Sequence, residues 1–250
     1  MMPLSFYRDL LKDKYVRWRY RRQSLSSGKG SAILMFHHVA ESCPEGVSPS
    51  CYSSITEFEL LLKQISTSKQ FVTLSELCDD LDFSIVPSNK VVITFDDVPT
   101  DIYENAVPIL RKYSVPYTLY ISIDLIGKDC FLSKDQIIEL SKDPLCTIGS
   151  HTMSHCKMKK KDVDLHKEVF ESKDILKKLI NCEVEHFAYP YGTPFAISKR
   201  TINYLKETRL YRSAVCTIPA CINQHSVENM YSLPRIHSQL FTNEFINMLP

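Results

Sequence analysis

Glycine is scarce in this 250-residue chain, with six in all. None falls in a G-x-G-x-x-G or Walker-type run, which excludes an enzyme built on a glycine-rich phosphate loop. Charge of one sign is not in excess either. Thirty basic side chains face 29 acidic ones, for a net +1, which argues against a general nucleic-acid binder. Long apolar runs are missing. Strings such as Ala32–Phe36 fall far short of the ~20 residues that span a bilayer. The first residues are charged throughout and lack an apolar core, so no secretory signal is expected. The nine cysteines include no C-x-x-C pair, which speaks against a zinc ribbon or a thioredoxin-type site. Their odd number and irregular spacing fit a reducing compartment, and the expected location is cytoplasmic. What is present is a core: 44% of residues are hydrophobic, enough to exclude a disordered or collagen-like chain.

The charge is unevenly spread. Residues 1–22 carry seven basic side chains against Asp9 and Asp13, a net +5. Leu4, Tyr7, Leu11, Tyr15 and Trp18 recur there at roughly helical spacing. A basic amphipathic helix of this kind can lie on an anionic membrane surface. A solvated arm, or a helix packed on the main domain, are the alternatives. Ser24–Ser31 (SLSSGKGS) has linker composition. The expected organisation is therefore an arm and linker over 1–31 and a single domain over 32–250.

In that domain short apolar runs alternate with helical patterns. Strands are expected at Ala32–Val39, Lys90–Phe95, Tyr117–Ile123, Thr147–Gly149, Glu185–Tyr189 and Arg212–Cys216. Helices are expected at Ile55–Ser66 (capped by Thr56 and Glu59), Pro108–Tyr113, Ser133–Ser141 (capped by Ser133 and Gln136), Lys161–Ile180 and Ile197–Thr208. Such alternation defines an α/β fold with a parallel sheet, open or closed into a barrel. In these folds the working residues sit at the C-terminal strand ends. Polar groups collect there: His37 and His38, Asp96 and Asp97, His151 and His155, Tyr191, then Arg235 and His237 in the last run.

His151 and His155, four apart, can face one ion from a single helical turn. With a carboxylate from Asp96 or Asp97 they make a two-histidine, one-carboxylate set that suits a divalent metal with open positions. The other aspartate is then placed as a general base, and the histidine after the first strand as an acid. Taken singly each feature has a plainer explanation: packed or surface histidines, a turn or helix cap at Asp-Asp, a turn at Tyr-Pro-Tyr-Gly. Their joint occurrence at successive strand ends favours a site.

The segments Ile93–Asp97 (ITFDD), Ser150–His155 (SHTMSH), Phe187–Gly192 (FAYPYG) and Leu233–Ile236 (LPRI) resemble, in this order, the polysaccharide deacetylase family. That family is also called the NodB-homology group or carbohydrate esterase family 4. The resemblance covers about Ala32 to His237. It implies a distorted (β/α) barrel of about seven parallel strands and metal-dependent hydrolysis of an N- or O-acetyl group on a saccharide or glycan. It makes Asp96 the general base and Asp97, His151 and His155 the ligands of one divalent ion: zinc first, with cobalt, nickel or iron as alternatives. The backbone N–H of Tyr191 would help hold the oxyanion. Leu34–His37 (LMFH) resembles a branch that takes its acid from the first strand, which ranks His37 ahead of His237 and His38.

Two departures stand out. Val98 replaces the glycine of the family's T-F-D-D-G, and a β-branched residue is strained if that position has positive φ. The family's arginine before Pro-Pro-Tyr is missing. Arg235 can supply its charge to the base from another strand, or can be a plain surface ion pair. The leading expectation is thus a cytoplasmic deacetylase of a saccharide or glycan precursor. The alternatives are a barrel that binds carbohydrate without turnover and, less well supported, a two-metal phosphoesterase, which would want more ligands.

Overall fold

The structure is a computed structural model that describes residues 30–237. The amphipathic arm expected over 1–22 lies outside the described residues. Ten strands are described. Strand β1 (Ala32–Phe36) opens the main sheet, and β2 (His38–Ala40) pairs in parallel with β3 (Tyr52–Ser54) in a separate two-stranded ribbon. Helix α1 spans Ile55–Ser66, β4 Gln70–Phe71, α2 Leu74–Asp82 and β5 Lys90–Asp96. A π-helical turn, Ile102–Ala106, runs into α3 (Val107–Lys112). Then come β6 (Tyr117–Ile121), α4 (Lys134–Leu140) and β7 (Cys146–Ser150). A second π-helical stretch, His166–Glu171, runs into α5 (Ser172–Ile180). Last are β8 (His186–Ala188), α6 (Lys199–Thr208), β9 (Ser213–Val215), α7 (Gln224–Glu228) and β10 (Ile236–His237).

The main sheet is parallel throughout, in the order β10-β1-β5-β6-β7-β8-β9, with β4 beside the start of β5. A parallel bridge from Val215 to Leu233, three residues before β10, brings the two edges of this path together. The sheet therefore curls into a (β/α) barrel of seven strands plus β4, the class expected from the alternation. Successive side chains alternate between two cores, as a strand requires. Ala32, Leu34 and Phe36 of β1 and Val91, Ile93 and Phe95 of β5 pack outward against Phe58, Leu61, Leu62 and Ile65 of α1. Ile33 and Val92 join Tyr120, Ala188 and Val215 in a second cluster, which Leu74, Leu77, Cys78 and Leu81 of α2 cover. Among the described residues no helix is long and apolar enough to cross a membrane.

Several local expectations are corrected. The cap of α1 is two residues earlier than expected, at Ser54 and Glu57 rather than Thr56 and Glu59: Ser54 accepts from the Glu57 N–H at 3.2 Å, and Glu57 accepts in return from Ser54 N–H at 3.1 Å. The expected box at Ser133 and Gln136 is present. Helix α2 was not anticipated, although Thr73 and Glu76 form the same box in front of it. The first strand breaks at His37 and restarts at His38. The helix expected from Lys161 begins only at His166.

Candidate metal centre and its surroundings

Strand β5 ends on a buried Asp96. The chain then turns on Asp97 (φ 61°) and Val98 (φ 52°), closed by Val98 N–H donating to the Asp96 carbonyl at 2.7 Å. An i to i+2 bond around a residue of positive φ is the pattern of a γ-turn, a strained connection. It separates the two carboxylates: Asp96 stays on the inner face of the barrel and Asp97 swings to the rim. Val98 is buried and holds the left-handed conformation that makes a β-branched residue costly.

Asp96 meets Arg235 as a bidentate pair, Nη1 to Oδ1 and Nη2 to Oδ2, both at 2.6 Å. Arg235 is 0% exposed, so a surface ion pair is ruled out. Its Nε donates to the Cys216 carbonyl at 3.1 Å and its Nη1 to Thr94 Oγ1 at 3.2 Å. The guanidinium also lies 5.4 Å from the centroid of the Tyr120 ring. That ring in turn packs on Gly149, where an added Cβ would come within 2.5 Å of it, so glycine is required there. Burial pushes the Asp96 carboxyl up, but Arg235, with help from His151 and His37, outweighs it and holds Asp96 well below the usual carboxylate range.

His151 and His155 are not on a helical turn. They sit in the loop after β7, where Thr152 (φ 72°) and His155 (φ 55°) are left-handed. His151 N–H donates to Ile121 O at 2.9 Å, and Ser122 Oγ donates to the His151 carbonyl at 2.7 Å. His151 Nδ1 lies 2.8 Å from the Ala188 carbonyl. A carbonyl only accepts, so Nδ1 carries the proton and Nε2 presents its lone pair. Burial is the main force lowering the His151 pKa, which favours that neutral form. Nε2 of His151 is 3.6 Å, and Nε2 of His155 3.1 Å, from Asp97 Oδ1. Despite this closeness the buried Asp97 Oδ1 makes no hydrogen bond.

A buried carboxylate oxygen without a hydrogen-bond partner, beside two imidazole nitrogens, is costly unless something positive joins it. The ligand atoms of Asp97, His151 and His155 all lie within 4.8 Å of one another. One carboxylate and two imidazoles, a three-donor set that leaves coordination positions open, fit a single divalent ion.

One positioning residue escaped sequence analysis. Glu168, buried in the π-helical stretch, accepts from Met153 N–H (3.1 Å), Ser154 N–H (3.0 Å) and Ser154 Oγ (2.7 Å). It ties down the loop that carries His155. The signal was a carboxylate placed between the buried Leu165 and Val169, on the apolar stripe of a helical pattern.

The remaining candidates lie around this centre. Tyr191 (φ 62°) and Gly192 (φ 52°) form a second left-handed pair, after β8. A Cβ on Gly192 would meet the Thr217 backbone nitrogen at 2.6 Å. The Tyr191 ring is half exposed, 4.9 Å from the His155 ring. His37 and His237, at the ends of neighbouring strands, stack with centroids 5.6 Å apart. Burial pushes the His37 imidazole down, opposed by Asp96 and Asp97. His38 faces elsewhere, with Nδ1 2.6 Å from Asp101 Oδ2.

A barrel whose rim gathers these groups defines a class, and the comparisons agree with it. A model of the family described as polysaccharide deacetylase matches residues 84–212. The chain belongs to the polysaccharide deacetylase family. The Bacillus subtilis protein YxkH is 28% identical over 207 residues, which are 82% of this chain and 70% of YxkH. The poly-beta-1,6-N-acetyl-D-glucosamine N-deacetylase of Staphylococcus aureus (strain MRSA252) is 32% identical over 154 residues, 56% of this chain. That match spans about half of the staphylococcal protein, 53%. Among solved structures, BC0361, a polysaccharide deacetylase from Bacillus cereus, shares the fold with a TM-score of 0.75 at 22% identity, over 89% of this chain and 69% of that one. The Streptococcus pyogenes deacetylase PplD, solved in complex with acetate, gives a TM-score of 0.69 at 25% identity, over 83% and 91%.

Proposed function

We propose that the chain is a metal-dependent deacetylase that hydrolyses N-acetyl groups on a saccharide or glycan precursor. The observation that carries this reading is Asp96. It is buried, held ionised by Arg235, and only 4.0 Å (Oδ2) from Nε2 of His151. Asp97, His151 and His155 would hold the ion, zinc by preference. When bound, that ion supplies a Lewis acid for the acetyl carbonyl and lowers the pKa of a water. Asp96 takes the proton of the attacking water. Arg235 keeps the carboxylate aimed and ionised, at the expense of basicity. The Tyr191 N–H donates to the oxygen on which negative charge builds. His37 gives a proton to the departing amine as the C–N bond breaks; burial lowers its pKa overall, and Asp96 and Asp97 oppose that shift. The products are acetate and a free amino sugar.

The staphylococcal relative suggests β-1,6-linked N-acetylglucosamine oligomers as the first substrates to try. The cysteines, none in a disulfide among the described residues, favour an intracellular substrate, and the basic arm over 1–22 a membrane-associated one. The reading of a binding barrel without turnover draws on Val98, buried and strained beside Asp97. Metal analysis and acetate release from N-acetylated oligosaccharides separate the two. A stoichiometric metal with acetate release, abolished in Asp96→Asn, is the expected result. Stoichiometric metal with no acetate from any saccharide would favour binding alone.

A further inference from the structure

A second group of metal-ligating side chains stands on the same rim and shares no residue with the first. His37 directly follows β1 and His237 closes β10, and the parallel register sets Met35 opposite His237. The two rings are therefore brought side by side by backbone pairing. The third member is Cys51, from the 3-10 turn Pro49–Cys51 that leads into β3. Its neighbour Tyr52 pairs with His38, next to His37, so the ribbon fixes the thiol over the histidines. One ligand atom from each of His37, Cys51 and His237 lies within 4.8 Å of the others. All three side chains are partly exposed, and His37 Nδ1 is buried without a hydrogen-bond partner. Cys51 is in no disulfide.

The donor sets differ in kind. Asp97, His151 and His155 offer oxygen and nitrogen, whereas His37, Cys51 and His237 offer nitrogen and a thiolate. Two imidazoles and a thiolate with an open fourth position suit a thiophilic ion, zinc or cadmium, in tetrahedral geometry. We propose that His37, Cys51 and His237 form a second metal site, which fills when zinc is in excess and removes His37 from proton transfer, stopping turnover. The inhibitory half of this proposal rests on the reading of His37 as the leaving-group acid; the binding half does not.

The test uses the full chain with cadmium and zinc as probes. Equilibrium dialysis is expected to show two ions per wild-type chain and one in both Cys51→Ser and Asp97→Ala. Cadmium should give a thiolate-to-metal charge-transfer band in wild type and in Asp97→Ala, but none in Cys51→Ser. The exposed Cys43, Cys130 and Cys182 remain in that variant and control for stray thiols. One ion in wild type, or an undiminished band in Cys51→Ser, would overturn the site. Loss of an outer-shell partner already costs about 10–100-fold in metal affinity. Loss of the Cys51 ligand should therefore raise the half-inhibiting zinc concentration by more than roughly tenfold in acetate-release assays. Equal inhibition of wild type and Cys51→Ser would overturn the regulatory role. A protein that binds two ions but releases no acetate from any substrate keeps the site and removes the deacetylase reading instead.

Discussion

The loops that carry the candidate metal ligands and the helices that surround the barrel are held in different ways. Helices α1, α2 and α4 each begin on a capping box, Ser54/Glu57, Thr73/Glu76 and Ser133/Gln136, and bury an apolar face. Their order comes from local bonds and hydrophobic contact. The loops after β5, β7 and β8 instead hold Asp97, Val98, Thr152, His155 and Tyr191 at positive φ. Non-glycine residues in that region cost about 1–2 kcal/mol each, and here they are kept by contacts from elsewhere in the chain: Glu168 on 153–154, Thr217 on Tyr191, Ser122 on His151. Of the eleven non-glycine residues at positive φ among the described residues, five lie in these three loops, where side chains must be aimed, and polar groups from distant segments hold those loops in place.

Substitutions in the two regions should therefore behave differently. The largest effect is expected at Arg235. Arg235→Met leaves Asp96 buried without its partner, and breaking such a pair costs about 3–5 kcal/mol. Urea unfolding should show this loss together with loss of acetate release; an unchanged midpoint would mean that Asp96 finds another partner or is solvated. Next is Glu168→Gln, which leaves the fold intact but loosens the His155 loop. Metal affinity should fall about 10–100-fold, read by competition with a chelator, with little change in the melting temperature.

A smaller effect is expected at Val98→Gly. Losing the buried side chain costs about 1.5–3 kcal/mol, and relief of the left-handed strain returns about 1–2 kcal/mol. The net loss should be about 1 kcal/mol by thermal unfolding. A loss of the full burial term would show that valine is not strained there. Of similar size but different kind is Ser54→Ala, in the helical shell. Removing this cap should cost about 1 kcal/mol of stability and leave metal affinity unchanged. A change in metal affinity would break the division between shell and site.

The same division explains what could be read from the sequence. Strand β5, expected at Lys90–Phe95 and one residue longer in the structure, was visible because Val91, Val92 and Ile93 are β-branched, and α4 because its cap and apolar residues agree. The candidate ligand residues were legible as well, since the paired carboxylates and the two histidines follow strands, and the structure brings Asp97, His151 and His155 together. Their geometry was not. His151 and His155 converge through left-handed Thr152 and His155 rather than a helical turn, and nothing in residue spacing signals positive φ in threonine or histidine. Cys51 joins His37 and His237 only through strand register, a long-range property that no local pattern carries. The arginine missing before Tyr-Pro-Tyr is an instructive intermediate case. Its charge reaches Asp96 from Arg235, 139 positions away, and the LPRI segment hinted at it.

In the proposed mechanism one aspartate, Asp97, holds the ion while its neighbour, Asp96, does the proton chemistry. Metal content and acetate release measured side by side on Asp97→Ala and Asp96→Asn test it most directly. Asp97→Ala is expected to lose both the Asp97–His151–His155 ion and activity, while Asp96→Asn keeps that ion and loses activity by about 10²–10⁴-fold. An Asp96→Asn protein that keeps full activity, or an Asp97→Ala protein that still binds that ion with wild-type affinity, would contradict it.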